Sequence, residues 1–292
     1  RLGHPLKILV TGANGQLGME LRQLEKFYPG FRFFFAGKEE LSIADKKSID
    51  QFFSAHLPNY CINCAAYTAV DKAETEMGPA YNINALAVGV LAKACKKFQA
   101  KFFHISTDYV FAGNGSRPYA EVDATSPLNF YGYSKLRGEE KALKENAEII
   151  ILRTSWVYSS FGKNFVKTML RLMAEKESIS VVDDQYGSPT YAADLAGAIM
   201  QIIAKDNFVP GVYHYCNNGI INWHQFATAI KEFTQSNCLV NAISTAGYPT
   251  PAKRPYYSSL ETQKFRHTFN IIIPDWKESL KKCLAILIKQ GN

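Results

Sequence analysis

The chain has 292 residues, is 47% hydrophobic and 20% charged, and is therefore ordinary for a soluble globular protein of one large α/β domain or a domain with a smaller partner. Its net charge of +7 is modest and comes without a run of five or more basic residues, so nucleic-acid binding is not favoured. No apolar stretch reaches the roughly 18 residues that a membrane-spanning helix needs, so membrane insertion is not expected.

The N-terminus and the cysteines bear on processing and compartment. No signal peptide is visible, and the first six residues, RLGHPL, lack an initiator Met and precede the first predicted strand. They are interpreted as a remnant of processing or of recombinant expression. Only Cys61 and Cys64 form a close pair, and neither a helix start nor a second pair accompanies them. The favoured interpretation is reduced cysteines on a buried strand, in a cytoplasmic protein.

The first half of the chain alternates short apolar runs with helical patterns. Strands are predicted over KILVT (7–11), FRFFFA (31–36), YCINCAA (60–66), KFFHIST (101–107) and EIIILRT (148–154). Helices are predicted over about 15–27, after a helix N-cap at Asp45, and over 80–98 and 131–146. Continuous apolar strands that alternate with helices predict an α/β protein with a doubly wound, Rossmann-like parallel sheet covered on both faces.

The later half is less regular. Strands are predicted over 178–184 and 211–216, and helices over 192–204, 222–236 and 275–290. We expect residues 7–155 and 178–216 to form the dinucleotide-binding core. Residues 156–177 and 217–292 are expected to form a smaller C-terminal, substrate-binding lobe. Such a lobe would lie over the carboxyl ends of the strands, where open α/β sheets bind ligands.

A glycine-rich loop, TGANGQLG, directly follows the first predicted strand and precedes a helix. Its glycines at 12, 15 and 18 are a spacing variant of the dinucleotide-binding fingerprint. Gly12 would allow the tight turn, Gly15 the close approach of a pyrophosphate and Gly18 the contact between helix and strand. The pyrophosphate would lie at the helix N-terminus, where free N–H groups point at it.

The end of the second strand bears on the choice of cofactor. An acidic residue there would bind the ribose 2′-hydroxyl of NAD, whereas a basic residue would accept the 2′-phosphate of NADP. The strand ends Ala36-Gly37-Lys38, and no acid occurs before Glu39. Lys38 therefore favours NADPH, with NADH as the alternative, although a solvated loop lysine would look the same.

The stretch NFYGYSK places two tyrosines near one lysine. Residues four apart share a helix face and residues two apart do not, so Lys135 accompanies Tyr131 and not Tyr133. An ammonium beside a phenol lowers the phenol's pKa, and a tyrosine tuned in this way exchanges a proton near neutral pH. Tyr131 is therefore the candidate acid, and Tyr133 is expected to be a packing or substrate-facing residue.

Together with a threonine at the end of the fourth strand, in ISTDYVF, these features resemble the short-chain dehydrogenase/reductases. The details resemble one branch of the extended group, the dTDP-4-dehydrorhamnose reductases. The similarity runs from Lys7 to about Leu284 and is carried by the segments TGANGQLG, NCAAYTAVDKAE, ISTDYVF, RTSWVY, GKNFVKTML, DDQYGSPTYAADLA, RPYYSSLETQKF and PDWKESL. It implies an oxidoreductase that uses NAD(P)H to reduce the C4 ketone of dTDP-4-dehydro-L-rhamnose to dTDP-L-rhamnose, a precursor of cell-surface polysaccharide.

The resemblance also implies residue roles. Tyr131 would protonate the carbonyl oxygen, Lys135 would hold the nicotinamide ribose and lower the pKa of Tyr131, and Thr107 would hydrogen-bond the substrate oxygen. With the glycines and Lys38, further cofactor contacts are expected from Gln16, Leu17, Ser42, Ile43, Ala65, Ala66 and Tyr67. Substrate contacts are expected from Thr107, Asp108, Trp156 and Arg254. The last three also have structural interpretations, as a turn cap, a core residue and a surface arginine respectively.

Two alternative functions survive. A sugar-nucleotide dehydratase or epimerase of the same group is disfavoured, because the dehydratases carry a glutamate directly after the Thr-Asp pair and Tyr109 stands there. A non-catalytic, NADP-binding regulatory subunit like that of methionine adenosyltransferase also resembles this branch, although the intact Tyr131, Lys135 and Thr107 favour an enzyme. A homodimer, a supporting Mg²⁺ ion and the nucleotide base of the substrate are left open.

Overall fold

The structure is a computed structural model that describes residues 4–291. Within these residues the strands are β1 (Leu6–Thr11), β2 (Phe31–Ala36), β3 (Tyr60–Asn63), β4 (Lys101–Thr107), β5 (Ile150–Thr154), β6 (Val157–Tyr158), β7 (Ser178–Val182), β8 (Tyr186–Gly187), β9 (Thr190–Tyr191), β10 (Gly211–His214), β11 (Ile221–Asn222) and β12 (Leu239–Ile243). The α-helices are α1 (Gln16–Leu24), α2 (Lys46–His56), α3 (Met77–Tyr81), α4 (Ala87–Lys97), α5 (Phe130–Glu145), α6 (Phe165–Glu175), α7 (Ala192–Ala204), α8 (Trp223–Thr234), α9 (Gln263–Phe269) and α10 (Trp276–Gln290). No helix in this part of the chain is long and apolar enough to span a bilayer.

Six strands form one parallel sheet in the order β10-β5-β4-β3-β1-β2. From β1 the chain moves outward to β2 and then returns to place β3 on the other side of β1. The winding direction therefore reverses between β1 and β3, and open α/β sheets bind ligands at the carboxyl ends of such a pair. The predicted doubly wound, Rossmann-like fold is confirmed.

Alternate residues of the strands build two apolar cores, one on each face of the sheet. Ile8 and Val10 of β1 face the core that is completed by α1, α7 and α9, whereas Leu9 faces the core completed by α2, α4 and α5. Because both faces are covered, the strands have continuous apolar runs in the sequence and not an alternating pattern.

Most predicted strand bounds agree with the structure. The predictions over 31–36 and 101–107 coincide with β2 and β4, and the prediction over 148–154 begins two residues before β5. The strand predicted over 60–66 is shorter, because β3 ends at Asn63 and the chain leaves the sheet there. At the N-terminus, Leu6 already belongs to β1, so RLGHPL does not wholly precede the first strand, and residues 1–3 of that segment lie outside the described residues.

The helices also follow the prediction. The carboxylate of Asp45 caps α2 by accepting a hydrogen bond from the backbone N–H of Lys47 at 3.0 Å. The helix predicted over 80–98 is the continuous stretch of α3, a π-helical segment (Asn82–Leu86) and α4. The longer elements α6, α9 and β12 were not predicted, and neither were the two-residue strands β6, β8, β9 and β11.

A third core lies outside the central sheet and is built from α6, β7, α8 and α10. The strand predicted over 178–184 belongs here, because β7 pairs with β12 and not with the central sheet. Its alternation of exposed serines with buried Ile179 and Val181 is typical of a sheet covered on one face only. Conversely, Phe265 and Phe269 of α9 pack on the central sheet. The prediction assigned residues 178–184 to the dinucleotide-binding core and residues 217–292, which include α9, to the substrate-binding lobe. The observed packing of β7 and of α9 differs from both assignments.

Candidate active site

The glycine loop has the shape that the sequence predicts. Gly12 has φ +59°, and a Cβ atom there would lie 2.4 Å from the backbone nitrogen of Ala65, so only glycine fits between β1 and the loop after β3. A Cβ atom at Gly18 would lie 2.6 Å from Cα of Ala13. At Gly15 the nearest atom to such a Cβ is 3.4 Å away, and no side chain caps α1. The N-terminus of α1 is thus open toward the space in front of it.

This space is a cavity of about 1250 Å³ that runs along the carboxyl ends of the central strands. Its walls include nearly all residues that were predicted to bind a cofactor or a substrate. These are Gly12, Gly15, Gln16, Leu17, Lys38, Ser42, Ile43, Ala65, Ala66, Tyr67, Thr107, Asp108, Tyr131, Lys135 and Trp156. Gly18 and Arg254 are not among the lining residues, since Gly18 packs against Ala13 and the guanidinium of Arg254 binds Asp71.

Asn63 joins the carboxyl ends of three strands at the back of the cavity. Its side-chain oxygen accepts a hydrogen bond from the hydroxyl of Thr11 at 2.7 Å and from the backbone N–H of Ala65 at 3.3 Å. Its amide nitrogen lies 3.1 Å from Nδ1 of His104. Asn63 was not predicted, although a polar residue inside the apolar run YCINCAA was a visible signal.

The two cysteines of that run have different environments. Cys61 is buried in β3, whereas Cys64 follows the strand, is half-buried and lines the cavity. The prediction that both lie on a buried strand is therefore wrong for Cys64. All six cysteines of the chain are free. Within residues 4–291 no group of three or more His, Cys, Asp or Glu side chains comes together as a metal site would require.

Helix α5 brings Tyr131 and Lys135 to the cavity wall. Asn129 caps the helix by accepting a hydrogen bond from the backbone N–H of Gly132 at 2.8 Å. The ammonium of Lys135, which is 3% exposed, donates to the carbonyl oxygen of Ile105 at 2.6 Å. Tyr133 is 43% exposed and lies outside the cavity. The helical spacing therefore predicted correctly which tyrosine shares a face with the lysine.

Thr107 is the last residue of β4 and faces the same cavity. Its hydroxyl accepts a hydrogen bond from the backbone N–H of Tyr109 at 3.1 Å and donates to Oδ1 of Asp108 at 3.2 Å. The nearby Thr107 hydroxyl also lowers the pKa of Tyr131. The hydroxyl of Thr107 on β4 and the side chains of Tyr131 and Lys135 on α5 thus line the same cavity. All three can donate or exchange protons.

The pKa of Tyr131 differs from the prediction. Burial and the nearby negative charge of Asp108 raise it well above the usual value of a tyrosine, against the lowering effect of Thr107. Lys135 was predicted to lower this pKa, but its ammonium is directed to the carbonyl oxygen of Ile105. Burial lowers the pKa of Lys135 itself to about 8, against an opposing contribution from Glu139.

Asp108 is 3% exposed, and burial raises its pKa to about 7, against hydrogen bonds that favour the carboxylate. Its Oδ2 atom has no hydrogen-bond partner within the described chain. A buried oxygen beside a cavity and without a protein partner is suited to a polar group of a ligand. The predicted contact between Asp108 and the sugar stays a prediction.

Two tryptophans also line the cavity. Trp156 has φ +48°, a conformation that is uncommon for a bulky residue, and its ring stacks on Trp223 at a centroid distance of 3.6 Å. A Cβ atom at Gly187 would lie 2.8 Å from the Trp156 ring, so the ring lies between Gly187 and Trp223. Both indoles line the cavity, and the predicted contact between Trp156 and the sugar stays a prediction. Trp223 was not predicted, because as the first residue of an amphipathic helix it carries no signal of its own in the sequence.

The segment before α6 also covers the glycine loop. The amide of Asn164 donates to the side-chain oxygen of Gln16 at 3.1 Å, and Gly162 and Lys163 line the cavity opposite α1. Lys38 lines it near the end of β2 and is exposed. Neither Gly162 nor Lys163 was predicted from the sequence.

Arg254 is engaged elsewhere in the structure. Its guanidinium binds the carboxylate of Asp71 through two hydrogen bonds, of 2.8 and 3.1 Å. The predicted contact between Arg254 and a substrate diphosphate stays a prediction.

Comparison with known proteins agrees with this geometry. Residues 6–288 match the family model described as RmlD substrate binding domain. The chain is 40% identical over 289 residues to the dTDP-4-dehydrorhamnose reductase of Aggregatibacter actinomycetemcomitans, which covers 96% of this chain and 98% of that protein. It is 41% identical over 279 residues to the spore coat polysaccharide biosynthesis protein SpsK of Bacillus subtilis, covering 95% of this chain and 96% of that protein.

Solved structures give the same result. A dTDP-4-dehydrorhamnose reductase of Bacillus anthracis, in complex with NADP, superposes with a TM-score of 0.93 at 38% identity, covering 97% of this chain and 99% of that one. A UDP-glucose 4-epimerase of Thermotoga maritima, at 20% identity and a TM-score of 0.82, shares the fold. The chain belongs to the RmlD substrate-binding-domain family, which includes the dTDP-4-dehydrorhamnose reductases.

Proposed function

We propose that the protein reduces the C4 ketone of dTDP-4-dehydro-L-rhamnose to dTDP-L-rhamnose with NADPH. The observation that carries this proposal is the meeting of Thr107, Tyr131 and Lys135 on the wall of the cavity that also contains the glycine loop. A carbonyl placed there lies beside a phenol, a hydroxyl and an ammonium, which are the groups that stabilise an oxygen as it gains negative charge.

The residues at the glycine loop fit a dinucleotide. The backbone of Gly12 packs against Ala65 with no room for a side chain, whereas the space beside Gly15 is open. The N–H groups at the start of α1 would hold a pyrophosphate, and Lys38 would accept a 2′-phosphate. The relative from Bacillus anthracis was solved with NADP, which supports the same class of cofactor here.

The bound nicotinamide would supply the hydride, and the protein supplies the proton and the oxygen contacts. Tyr131 donates its proton to the C4 oxygen, and its raised pKa keeps the phenol protonated at neutral pH before the reaction. Thr107 holds the same oxygen as charge develops. Lys135 is expected to hold the ribose and to stabilise the phenolate that remains.

The sugar would occupy the end of the cavity that Asp108, Trp156 and Trp223 form. The free Oδ2 atom of Asp108 is suited to a sugar hydroxyl, and the indoles offer an apolar surface to the face of a 6-deoxy sugar. We propose the part of the chain with α6, β7, α8, β12 and α10 as the substrate lobe, because it supplies Trp223 and closes this end.

Two observations weigh against the alternative functions. Burial raises the pKa of Tyr109, the residue in the position of the dehydratase glutamate, so it does not act as a base at neutral pH. A regulatory subunit that only bound NADP would not need Thr107, Tyr131 and Lys135 to meet at one wall. We also propose a cytoplasmic location, which the six free cysteines support.

The test is an assay of the purified protein with NADPH and the 4-keto sugar nucleotide in D₂O. We expect one NADPH to be consumed for each 6-deoxy-L-mannose nucleotide formed, with no deuterium on the carbon atoms of the product. Carbon-bound deuterium would instead indicate proton abstraction, as in an epimerase or dehydratase. Tight NADPH binding without turnover would favour the regulatory-subunit alternative. The same assay with the UDP sugar tests the choice of base.

A further inference from the structure

A buried charged cluster lies behind the wall that carries Tyr131 and Lys135. Its centre is Glu139, one helical turn after Lys135 in α5 and 2% exposed. The carboxylate accepts a hydrogen bond from the hydroxyl of Ser106 at 2.5 Å and another from Nη2 of Arg153 at 2.7 Å. Nε of Arg153 also donates to it, at 3.0 Å. A carboxylate of α5 is thus joined to β4 and β5 inside the protein.

These contacts adjoin the reacting groups. Ser106 stands between Ile105, whose carbonyl oxygen binds the Lys135 ammonium, and Thr107, whose hydroxyl faces the cavity. Helix α5 is therefore fastened to the carboxyl end of β4 twice, by Lys135 and one turn later by Glu139. Both contacts determine how α5 presents its tyrosine to the end of β4.

Glu139 also bears on the charge of Lys135. The other titratable groups that face this ammonium are the thiol of Cys64, after β3, and the imidazole of His104, in β4. Burial raises the pKa of Cys64 and lowers that of His104, so both are neutral near pH 7. Of these three groups only Glu139 has a negative charge to offset the cost of burying the ammonium.

We propose that Glu139 is a positioning residue for the reduction, which acts through Ser106 and Lys135 to hold α5 against β4 and to keep the lysine charged beside the cofactor. This inference rests on the proposed function. The competing interpretation is that Glu139 only neutralises Arg153, which also contacts Nε2 of His214 at 3.3 Å. A purely structural ion pair would affect stability and leave the pH dependence unchanged.

The first test is Glu139→Gln, which keeps the size of the side chain and removes its charge. The affinity for NADPH is measured by calorimetry from about pH 6 to 10, together with turnover. In the unsubstituted protein both should decline above about pH 8, where Lys135 loses its proton. In the variant the decline should begin about one pH unit lower, the size of effect expected for one nearby charge. Above the pH at which both proteins have begun to decline, turnover of Glu139→Gln should be about tenfold lower than that of the unsubstituted protein.

The matched control is Glu140→Gln, the next residue of the same helix. Glu140 is exposed and pairs with exposed Arg137, away from the cavity. The Glu140→Gln variant should leave turnover and the pH dependence of NADPH affinity unchanged. Adding Glu139→Gln to Lys135→Met should likewise leave the remaining pH dependence of NADPH affinity unchanged, because the group on which Glu139 acts is gone.

A second variant addresses folding, because removing one partner of a buried ion pair is strongly destabilising and Glu139→Gln could fail to fold. Ser106→Ala leaves the pair of Glu139 and Arg153 intact and removes only the contact with β4. Turnover should fall about tenfold, as expected when a supporting contact of an active site is lost, while the melting temperature shifts by only a few degrees.

The outcomes separate the two interpretations. An unchanged pH dependence in folded Glu139→Gln, or full turnover in Ser106→Ala, would overturn the positioning role. If the unsubstituted protein binds NADPH but reduces no sugar nucleotide, the proposed function fails. The pH dependence of NADPH affinity still tests Glu139 in that case.

Discussion

Tyr131 and Tyr133 lie two residues apart on α5 and have different surroundings. Tyr131 is half-buried beside Thr107 and Asp108, whereas Tyr133 is largely exposed and contacts the rings of Tyr81 and Phe130. Position on the helix therefore separates a candidate acid from a surface residue of the same type.

For Tyr131→Phe we expect turnover to fall by about 10²–10⁴-fold, since this variant lacks the proton donor but keeps the ring. NADPH affinity should change little, because the phenol is not the group that holds the phosphates. Steady-state kinetics with the 4-keto sugar and calorimetry with NADPH measure the two quantities.

Tyr133→Phe is the control and should retain most of the activity. If Tyr133→Phe were the inactive variant and Tyr131→Phe the active one, the assignment of the acid would be wrong.

Lys38 is the residue on which the preference for NADPH depends. It follows β2, is exposed and lines the cavity. Lys38→Ala should weaken NADPH binding about tenfold or more, since a charge-assisted hydrogen bond contributes roughly 1.5–3 kcal/mol. Binding of NADH, which lacks the 2′-phosphate, should be unchanged, and calorimetry with both cofactors measures the difference.

Lys289→Ala removes an equal charge from the exposed end of α10 and should leave both affinities unchanged. An equal loss of NADPH and NADH affinity in Lys38→Ala would show that the lysine does not distinguish the cofactors.

At the scale of elements, the loop between β1 and α1 has glycines for two different reasons. Gly12 and Gly18 are required by contacts within the protein, because a Cβ atom at either would meet backbone at 2.4 or 2.6 Å. Gly15 has no such contact, and we propose that it is required by the pyrophosphate that approaches α1.

This difference predicts the behaviour of Gly15→Ala. The melting temperature should stay within a few degrees, because the nearest protein atom to the new methyl group is 3.4 Å away and φ of −81° suits alanine. NADPH affinity should fall at least about tenfold, since the methyl group occupies the space of the pyrophosphate. Thermal unfolding and calorimetry measure the two effects.

Gly30→Ala is the control, because Gly30 precedes β2 and a Cβ atom there meets nothing within 4 Å. It should change neither property. Undiminished NADPH affinity in Gly15→Ala would place the pyrophosphate elsewhere.

The stability of the whole molecule depends on the ionisation of a buried carboxyl group, that of Glu121, which does not line the cavity. Glu121 has 7% of its side chain exposed, and its Oε1 atom lies 3.6 Å from Nδ1 of buried His214. Burial raises the pKa of Glu121 to about 7, against the attraction of Lys264, and lowers that of His214 to about 3. The imidazole of His214 is therefore neutral at physiological pH and offers no positive charge to the carboxylate of Glu121.

The sign of the pH dependence follows from these values. A raised pKa means that the folded protein binds the proton of Glu121 more tightly than the unfolded chain does, so stability declines as pH rises from about 4.5 to about 7. Glu121→Gln removes this loss and should raise the free energy of unfolding at pH 8 by roughly 1–3 kcal/mol. At about pH 4 the variant should gain nothing, and chemical denaturation at both pH values measures the difference.

Glu177→Gln, at an exposed position, is the control and should change neither value. An equal gain for Glu121→Gln at both pH values would indicate an effect of packing and not of ionisation.

Features that depend on neighbours along the chain can be predicted from the amino-acid sequence alone. The apolar runs of β1 to β5 predict a parallel sheet, because strands covered on both faces have no polar side. The spacing of Gly12, Gly15 and Gly18 predicts the loop, and the interval from Tyr131 to Lys135 predicts the shared helix face. Each of these patterns is a consequence of local geometry, with a period of two or of 3.6 residues.

Contacts between segments that are distant in the sequence could be found only in the folded structure. Trp223 stacks on Trp156, Asn63 contacts Thr11, and Glu139 binds Ser106, in each case across a sequence separation that no periodicity describes. The same holds for the tyrosine pKa, which burial and Asp108 raise although the spacing to Lys135 predicts a decrease. Burial and long-range contacts are properties of the folded chain, and they set both the shape of the cavity and the charges on its wall.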